Sequence, residues 1–199
     1  GGTLVATGSQ LLTLTARGTL DNSGGSIGGN GVLALSAQTL RNTQGTLQVA
    51  GTGASTVDVA QALQNQQGKL LLGGSGRIAA ASIDNQGGTL YAAGTALQQQ
   101  VAGLLDNHAA GTVSSAGQLT VGSGSLDNSA GTVVAGTDLT VSTTAAIGND
   151  AGALQAGGSV QLQSAGLSNR AGSVIGGQVV VDTRGQTLDN SAGTIGSKL

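Results

Sequence analysis

The fold of this chain is limited most by an eight-residue motif, called the phrase below, that recurs about every 21 residues. Such a period is typical of solenoids, in which each repeat forms one unit stacked on the next. The phrase reads LDNSAGTV at 126–133, and close copies occur at 20–27, 83–90 and 188–195. Its asparagine marks nine positions at nearly equal intervals: Asn22, Asn42, Asn65, Asn85, Asn107, Asn128, Asn149, Asn169 and Asn190.

A second motif lies between successive phrases and consists of two aliphatic residues separated by one residue, as at Leu33 and Leu35. Alternation at period two indicates a β-strand with one buried face. Two further short strands are predicted in each repeat, one before the asparagine and one after it. Three strands and three corners in a repeat of about 21 residues leave no room for a two-helix unit. The sequence therefore predicts an all-β fold, a right-handed parallel β-helix of about ten coils with three short strands per coil, the handedness following the usual chirality of parallel crossovers.

The nine asparagines are predicted to form a structural column at one corner of the coils. An amide carries both a donor and an acceptor, so asparagines stacked about 4.8 Å apart can bond to each other or to the backbone. Most of them are followed three residues later by a glycine, which we expect to supply the positive φ of a tight corner. We expect no ligand role for this column.

Composition limits the function. Charged residues make up 8 % of the chain and the net charge is -2, against about 25 % charged residues in a typical soluble domain. No basic patch is present, which argues against nucleic-acid binding. No apolar run approaches the length of a membrane span, so membrane insertion is not predicted.

Five of the nine aspartates directly precede a marker asparagine: Asp21, Asp84, Asp106, Asp127 and Asp189. Stacked carboxylates can attract Ca²⁺, or they can lie apart in solvent and cap the corner amides. We favour the second interpretation, because the calcium-binding nonapeptide pattern is missing. With one histidine, His108, and no cysteine, the ligand inventory predicts no transition-metal site and no cofactor. No catalytic residue is predicted, since a β-helical polysaccharide lyase or hydrolase needs acids and bases clustered on one face.

Two repeats are longer than the rest. We expect the lengthening between Asn42 and Asn65 at 51–55, and that between Asn85 and Asn107 at 97–101, with one further residue after His108. These irregular coils, near 48–66 and 91–112, are either tolerated surface bulges, which we favour, or an interaction surface. The candidate residues of that surface are Lys69, Arg77, Tyr91, Gln98, Gln99, Gln100 and His108.

The phrase LDNSAGTV and its eight relatives resemble the haemagglutinin repeats of filamentous haemagglutinin and of the contact-dependent growth inhibition exoproteins. The resemblance covers essentially the whole chain. It implies a right-handed parallel β-helix, export by two-partner secretion through an outer-membrane transporter, and residence outside the bacterial outer membrane. It transfers no catalytic residue to any position of this sequence.

The chain begins in the middle of a repeat, and we expect residues 1–199 to be a single β-helical segment of a longer filamentous protein. The leading hypothesis is a structural shaft that projects a distal domain of an adhesin or a toxin-delivery filament. An alternative is an adhesive rod that binds a receptor or glycan on a host or bacterial cell, and a more remote one is a carbohydrate-active enzyme. The last three residues, SKL at 197–199, spell a peroxisomal address, but they end a bacterial-looking repeat and we do not expect them to act in targeting.

Overall fold

The structure is a computed structural model that describes residues 1–197. The last two residues of the SKL tripeptide lie outside the described residues. The strands in chain order are β1 (Thr3–Ala6), β2 (Leu12–Asp21), β3 (Ser26–Gly29), β4 (Leu33–Arg41), β5 (Thr46–Val49), β6 (Ser55–Val59), β7 (Ala62–Gln64), β8 (Lys69–Leu72), β9 (Gly76–Ala80), β10 (Ser82–Asp84), β11 (Thr89–Ala92), β12 (Ala96–Asp106), β13 (Thr112–Ser115), β14 (Gln118–Asp127), β15 (Thr132–Ala135), β16 (Leu139–Thr143), β17 (Ile147–Gly148), β18 (Ala153–Ala156), β19 (Ser159–Gln163), β20 (Leu167–Ser168), β21 (Ser173–Gly176), β22 (Gln178–Asp182), β23 (Leu188–Asp189) and β24 (Thr194–Ser197). Within the described part of the chain, no helix is long and apolar enough to cross a membrane.

One sheet, here called sheet A, contains the strand that follows each marker asparagine. Its ten strands lie in the order β1, β3, β5, β8, β11, β13, β15, β18, β21 and β24, and each pairs in parallel with the strands one coil before and after it. Equivalent residues of the repeat face each other, so that Leu90 lies between Leu70 and Val113. The predicted parallel solenoid is confirmed, and its turns, about nine in number and each of about 21 residues, come close to the ten expected coils.

The other sheet, sheet B, contains the remaining two segments of every coil. The aliphatic pairs form one parallel stack through β2, β4, β6, β9, β12, β14, β16, β19 and β22. The residues just before each asparagine form a second stack, for which β7, β10, β17, β20 and β23 supply separate short strands. In the four coils that contain β2, β4, β12 and β14 the two segments belong to one strand, so the prediction of three separate strands per coil holds for the other coils.

The core is a narrow column of aliphatic side chains between the two sheets. Alternation places every second residue inside, as in β16, where Leu139, Val141 and Thr143 are buried and the residues between them are half-buried. Leu47, Leu70, Leu90, Val113 and Val133 of sheet A are fully buried. Since each coil shares its apolar layer with the coils above and below, stability comes from neighbouring pairs of coils rather than from any coil alone.

The extra residues of the long coils lie at corners. Val57 pairs with Leu35, although the corner before Val57 is two residues longer, as expected for an insertion at 51–55. A third extra residue lies at the next corner, after β6. The expectation that 97–101 lengthens its coil is wrong, because this stretch stays in register with Gly76–Ala80. One extra residue lies at the corner before it, between Leu90 and Leu97, and another lies between Val101 and Leu104.

Candidate functional site

The nine marker asparagines form a continuous ladder of side-chain hydrogen bonds along one corner of the rod. In each step the Nδ2 atom of one asparagine donates to the Oδ1 atom of the next, over 2.6 to 2.7 Å. Asn42 to Asn169 have no exposed surface, and Asn22 is 6 % exposed. We call this set, from Asn22 to Asn190, the asparagine ladder.

Backbone contacts complete the hydrogen bonding of the ladder. The Nδ2 atom of Asn107 also donates to the carbonyl oxygen of Gly111 at 3.0 Å and to that of Thr132 in the next coil at 3.1 Å. Its backbone N–H donates to the carbonyl oxygen of Asp127 at 2.7 Å. The amide of Asn107 is therefore saturated by the protein itself, which is the geometry of a structural group rather than of a ligand-binding one.

The glycine three residues after most ladder asparagines has a different role from the one expected. The positive φ falls one residue earlier, on a residue that is often not glycine, such as Gln44 at 55° or Ala130 at 53°. The glycine is required by close approach, since a Cβ atom on Gly131 would lie 2.1 Å from the carbonyl oxygen of Asn107 in the preceding coil. Equivalent clashes at 2.0 to 2.1 Å occur at Gly45, Gly68, Gly88, Gly152, Gly172 and Gly193.

The aspartates that precede ladder asparagines cap the corners. In each case Oδ1 accepts a hydrogen bond from the backbone N–H two residues later, over 2.9 to 3.2 Å, at Asp21, Asp84, Asp106, Asp127 and Asp189. The side chain and backbone of Ser191, together with Arg170, lower the pKa of Asp189 to about 2. Capping of the corner amides, the favoured interpretation, accounts for the position of these carboxylates.

One corner brings a histidine and two of these carboxylates together. Asp84, Asp106 and Asp127 are paired in register on three consecutive coils. The corner after Asn107 has one extra residue, and His108 there forms an ion pair with Asp106. The side-chain hydrogen bond between His108 and Asp106 raises the pKa of His108. Ligand atoms of Asp106, His108 and Asp127 lie within 4.8 Å of one another.

This cluster is not found when only histidine and cysteine are considered as ligands of a transition metal, because two of its three residues are aspartates. Asp106 and Asp127 occupy the same place in consecutive repeats. Stacking of the repeats places them on adjacent strands, about 4.8 Å apart. The signal was present in the sequence as an aspartate that recurs with the period of the repeat.

The other candidate interaction residues are divided between two faces. Lys69 and Tyr91 lie on the outer face of sheet A, on the adjacent strands β8 and β11. Arg77 and Gln98 lie in register on the outer face of sheet B. There Arg77 forms an ion pair with Asp58 and donates through Nη2 to Oε1 of Gln100 at 3.0 Å.

Comparison with known protein families identifies the repeat. The family model for the haemagglutinin repeat matches residues 1–24, 22–66, 50–102, 96–151 and 148–195. The chain belongs to the haemagglutinin repeat family. No curated protein and no solved structure matches it.

One polar side chain of the haemagglutinin repeats, that of Gln99, lies in the core, although the sequence predicted it to be exposed. Gln99 was expected on an exposed interaction surface, but it is fully buried, in register with Ile78 and Val121. Its Nε2 and Oε1 atoms have no hydrogen-bond partner among the described residues. Alternation with Leu97 and Val101 on the same face was the signal that placed it inside.

The haemagglutinin repeats and the solenoid fold together indicate a structural rather than a catalytic protein. Haemagglutinin repeats are typical of secreted or cell-surface proteins. Among the described residues the charged side chains are spread along the rod, and those that meet form single pairs or small groups such as Arg170 with Asp150 and Asp189.

Proposed function

We propose that this chain is a segment of the shaft of a longer, secreted filamentous exoprotein at the bacterial surface, where it projects a distal domain of an adhesin or toxin-delivery filament. The observation that carries this proposal is the continuity of the asparagine ladder and of sheet A, which run without a break from the first coil to the last. Ten strands at about 4.8 Å spacing give a rod about 43 Å long. An uninterrupted ladder of this kind supports a stiff spacer.

The proposed route to the surface is two-partner secretion through an outer-membrane transporter. The chain contains no cysteine, so no disulfide has to be avoided before export. Each coil pairs only with its neighbours, so folding can proceed coil by coil as the chain emerges. These properties support the transporter as a partner of this chain.

A shaft is modular, and its length can be tested by removing one whole coil. Deletion of 128–148 joins Asp127 to Asn149 and restores the Asp-Asn step of the repeat. We expect a folded rod that small-angle X-ray scattering shows to be shorter by about one strand spacing, about 4.8 Å.

The matched control is deletion of 128–137, about half a coil, which places non-equivalent residues opposite each other. We expect this variant to lose cooperative unfolding. If the whole-coil deletion is as damaging as the half-coil deletion, the modular shaft is excluded.

A second candidate function, adhesion by the rod itself, is favoured by one patch on sheet A. Tyr91 lies between Leu71 and Ser114 on the outer face, and Lys69 is on the same face two residues before Leu71. An aromatic ring flanked by hydroxyl and ammonium donors is chemistry that recognises a sugar ring.

Adhesion is tested by binding of the labelled chain to host and bacterial cells. Saturable binding that is lost in Tyr91→Ala and retained in Gln98→Ala, on the other sheet, assigns the adhesive function to this patch. A variant with its irregular coils replaced by copies of 126–146 must lose the binding as well. No saturable binding by the folded chain excludes adhesion and leaves the shaft.

A further inference from the structure

We propose that Asp106, His108 and Asp127 form a binding site for a divalent transition-metal cation of the Zn²⁺ class, which links two adjacent coils. The inference goes beyond the shaft function and does not depend on it. Two carboxylates and one imidazole are a donor set that suits Zn²⁺. Their ligand atoms lie within 4.8 Å of one another, and all three residues are half-buried.

The hydrogen bonds that the described residues make to Asp106 and Asp127 involve only one oxygen of each carboxylate, so the other oxygen is available to a metal ion. Oδ1 of Asp106 and Oδ1 of Asp127 are used to cap backbone N–H groups. No hydrogen bond among the described residues reaches Oδ2 of either carboxylate. Ligand atoms of a tetrahedral site with metal–ligand bonds of about 2.1 Å lie about 3.4 Å from one another, so metal binding requires the three side chains to move closer than the present limit of 4.8 Å.

The charge around the cluster is a second, independent observation that indicates a cation. Elsewhere in the same column of the rod an arginine accompanies the aspartate: Arg41 is in register with Asp21, and Arg170 binds Asp189 at 2.7 Å. The three consecutive carboxylates of Asp84, Asp106 and Asp127 are flanked instead by Gln64 and Gly148. Within the described residues, no arginine or lysine forms an ion pair with any of the three.

Gln86 is placed to orient the imidazole. Its amide nitrogen lies 2.5 Å from Nε2 of His108 and 3.4 Å from Nδ1, the ring atom that faces Asp106. With a metal on Nδ1, the Nε2–H group is a donor. Rotation of the Gln86 amide by half a turn places its oxygen where the nitrogen now lies, so that it accepts from Nε2–H, the kind of outer contact that fixes the ring of a ligating histidine. Three protein ligands leave the fourth position of a tetrahedral site open to water.

The nitrogen ligand makes Zn²⁺ a better fit than Ca²⁺. Calcium takes six to eight oxygen ligands, whereas this corner offers one imidazole and two carboxylates that are already hydrogen-bonded through one oxygen. An all-oxygen calcium site would not need His108. The two cations are therefore distinguished by a variant that removes the imidazole and leaves the carboxylates.

The test is titration of the full chain, prepared without a histidine tag, with Zn²⁺ at pH 7.5 by isothermal calorimetry. We expect one equivalent to bind, with Kd raised at least tenfold in His108→Ser and in Asp127→Asn. Ser occupies the equivalent position at 129 and 191, so the first variant preserves the corner. Asp21→Asn, in the same column but remote from the histidine, is the matched control and should bind as the unmodified chain does.

A second measurement reports the ligand type directly. Co²⁺ in place of Zn²⁺ should give visible absorption bands of a low-coordinate site in the unmodified chain and in Asp21→Asn, and these bands should be absent from His108→Ser. Circular dichroism of each variant identifies any that has unfolded. Absence of Zn²⁺ binding, binding unchanged in His108→Ser, or binding of Ca²⁺ at equal strength would each overturn the proposal.

Discussion

The Nδ2 atom of Asn107 donates a hydrogen bond of 2.7 Å to Oδ1 of Asn128, 21 residues later in the chain and one coil further along the rod. Both side chains are fully buried. The bond therefore ties together two coils in a place that water does not reach, and its loss leaves Oδ1 of Asn128 without a donor. Stability of the rod should depend on this ladder more than on any exposed polar contact.

Asn128→Ala should destabilise the chain strongly. It removes one of the three acceptors of Nδ2 of Asn107 and the side-chain donor to Oδ1 of Asn149, and a buried polar group left without a partner costs about 1–3 kcal/mol. Urea unfolding followed by circular dichroism measures the loss. Asn30→Ala is the control, because Asn30 is exposed and outside the ladder, and it should cost less than about 0.5 kcal/mol.

The two neighbouring positions Ala130 and Gly131 should differ strongly in how much stability they lose when alanine and glycine are exchanged. Gly131→Ala places a Cβ atom 2.1 Å from the carbonyl oxygen of Asn107, which should cost at least about 3 kcal/mol, the upper part of the range for overpacking. Ala130→Gly relieves a φ of 53° and should change stability by less than about 1 kcal/mol.

Thermal unfolding of both variants measures this difference. Equal destabilisation by the two substitutions would contradict the close approach of the coils at Gly131. It would also restore the interpretation that glycine is present there for its backbone freedom.

Gln99→Leu should stabilise the protein. The buried amide has neither of its polar atoms hydrogen-bonded among the described residues, and aliphatic residues occupy the paired positions Ile78 and Val121. Removing one unsatisfied buried polar group should gain about 1–3 kcal/mol in the free energy of unfolding. Gln98→Leu, on the exposed side of the same strand, is the control for added hydrophobicity. A loss of stability in Gln99→Leu alone would disprove the unsatisfied state of the amide.

Asp189 should make the C-terminal coils sensitive to acid. Because its pKa is lowered from 3.8 to about 2 in the folded chain, its contribution is fully present above pH 3.8 and is lost as pH falls through about 2. Ser191→Ala should raise this pKa, since it removes the side-chain hydrogen bond that is the largest single cause of the shift and keeps the backbone N–H bond; Arg170→Gln, which removes a smaller hydrogen bond and a charge, should raise it as well. Carboxyl ¹³C NMR titration measures both, and Ser129→Ala should leave the pKa of Asp189 unchanged.

Much of the architecture was predictable because the repeat is nearly regular. The spacing of the asparagines predicted the coil length, and the alternation at pairs such as Leu139 and Val141 predicted which side chains are buried. The predicted position of the extra residues at 97–101 was wrong, because the insertion of a residue looks the same in the sequence wherever it falls within a coil. Only strand pairing places one before Leu97 and the other between Val101 and Leu104.

The candidate site was less predictable. Gln99 was assigned to an interaction surface because 97–101 was interpreted as an insertion, although its alternation with Leu97 places it in the core. His108 was interpreted alone, although the repeat length brings Asp127 beside it. In both cases the position of the residue within the repeat, and not its residue type, determines which side chains lie next to it in the adjacent coils.

By itself the sequence determined the repeat, its length and the alternation of buried and exposed residues, since these depend only on periodicity along the chain. The tertiary structure decided what lies across the gap between coils. The carbonyl oxygen of Asn107 excludes a side chain at Gly131, and the stacking of Asp106 on Asp127 makes a pair of carboxylates beside His108. The physical reason is that contacts between coils are set by the strand spacing of about 4.8 Å, which acts between residues far apart in the chain.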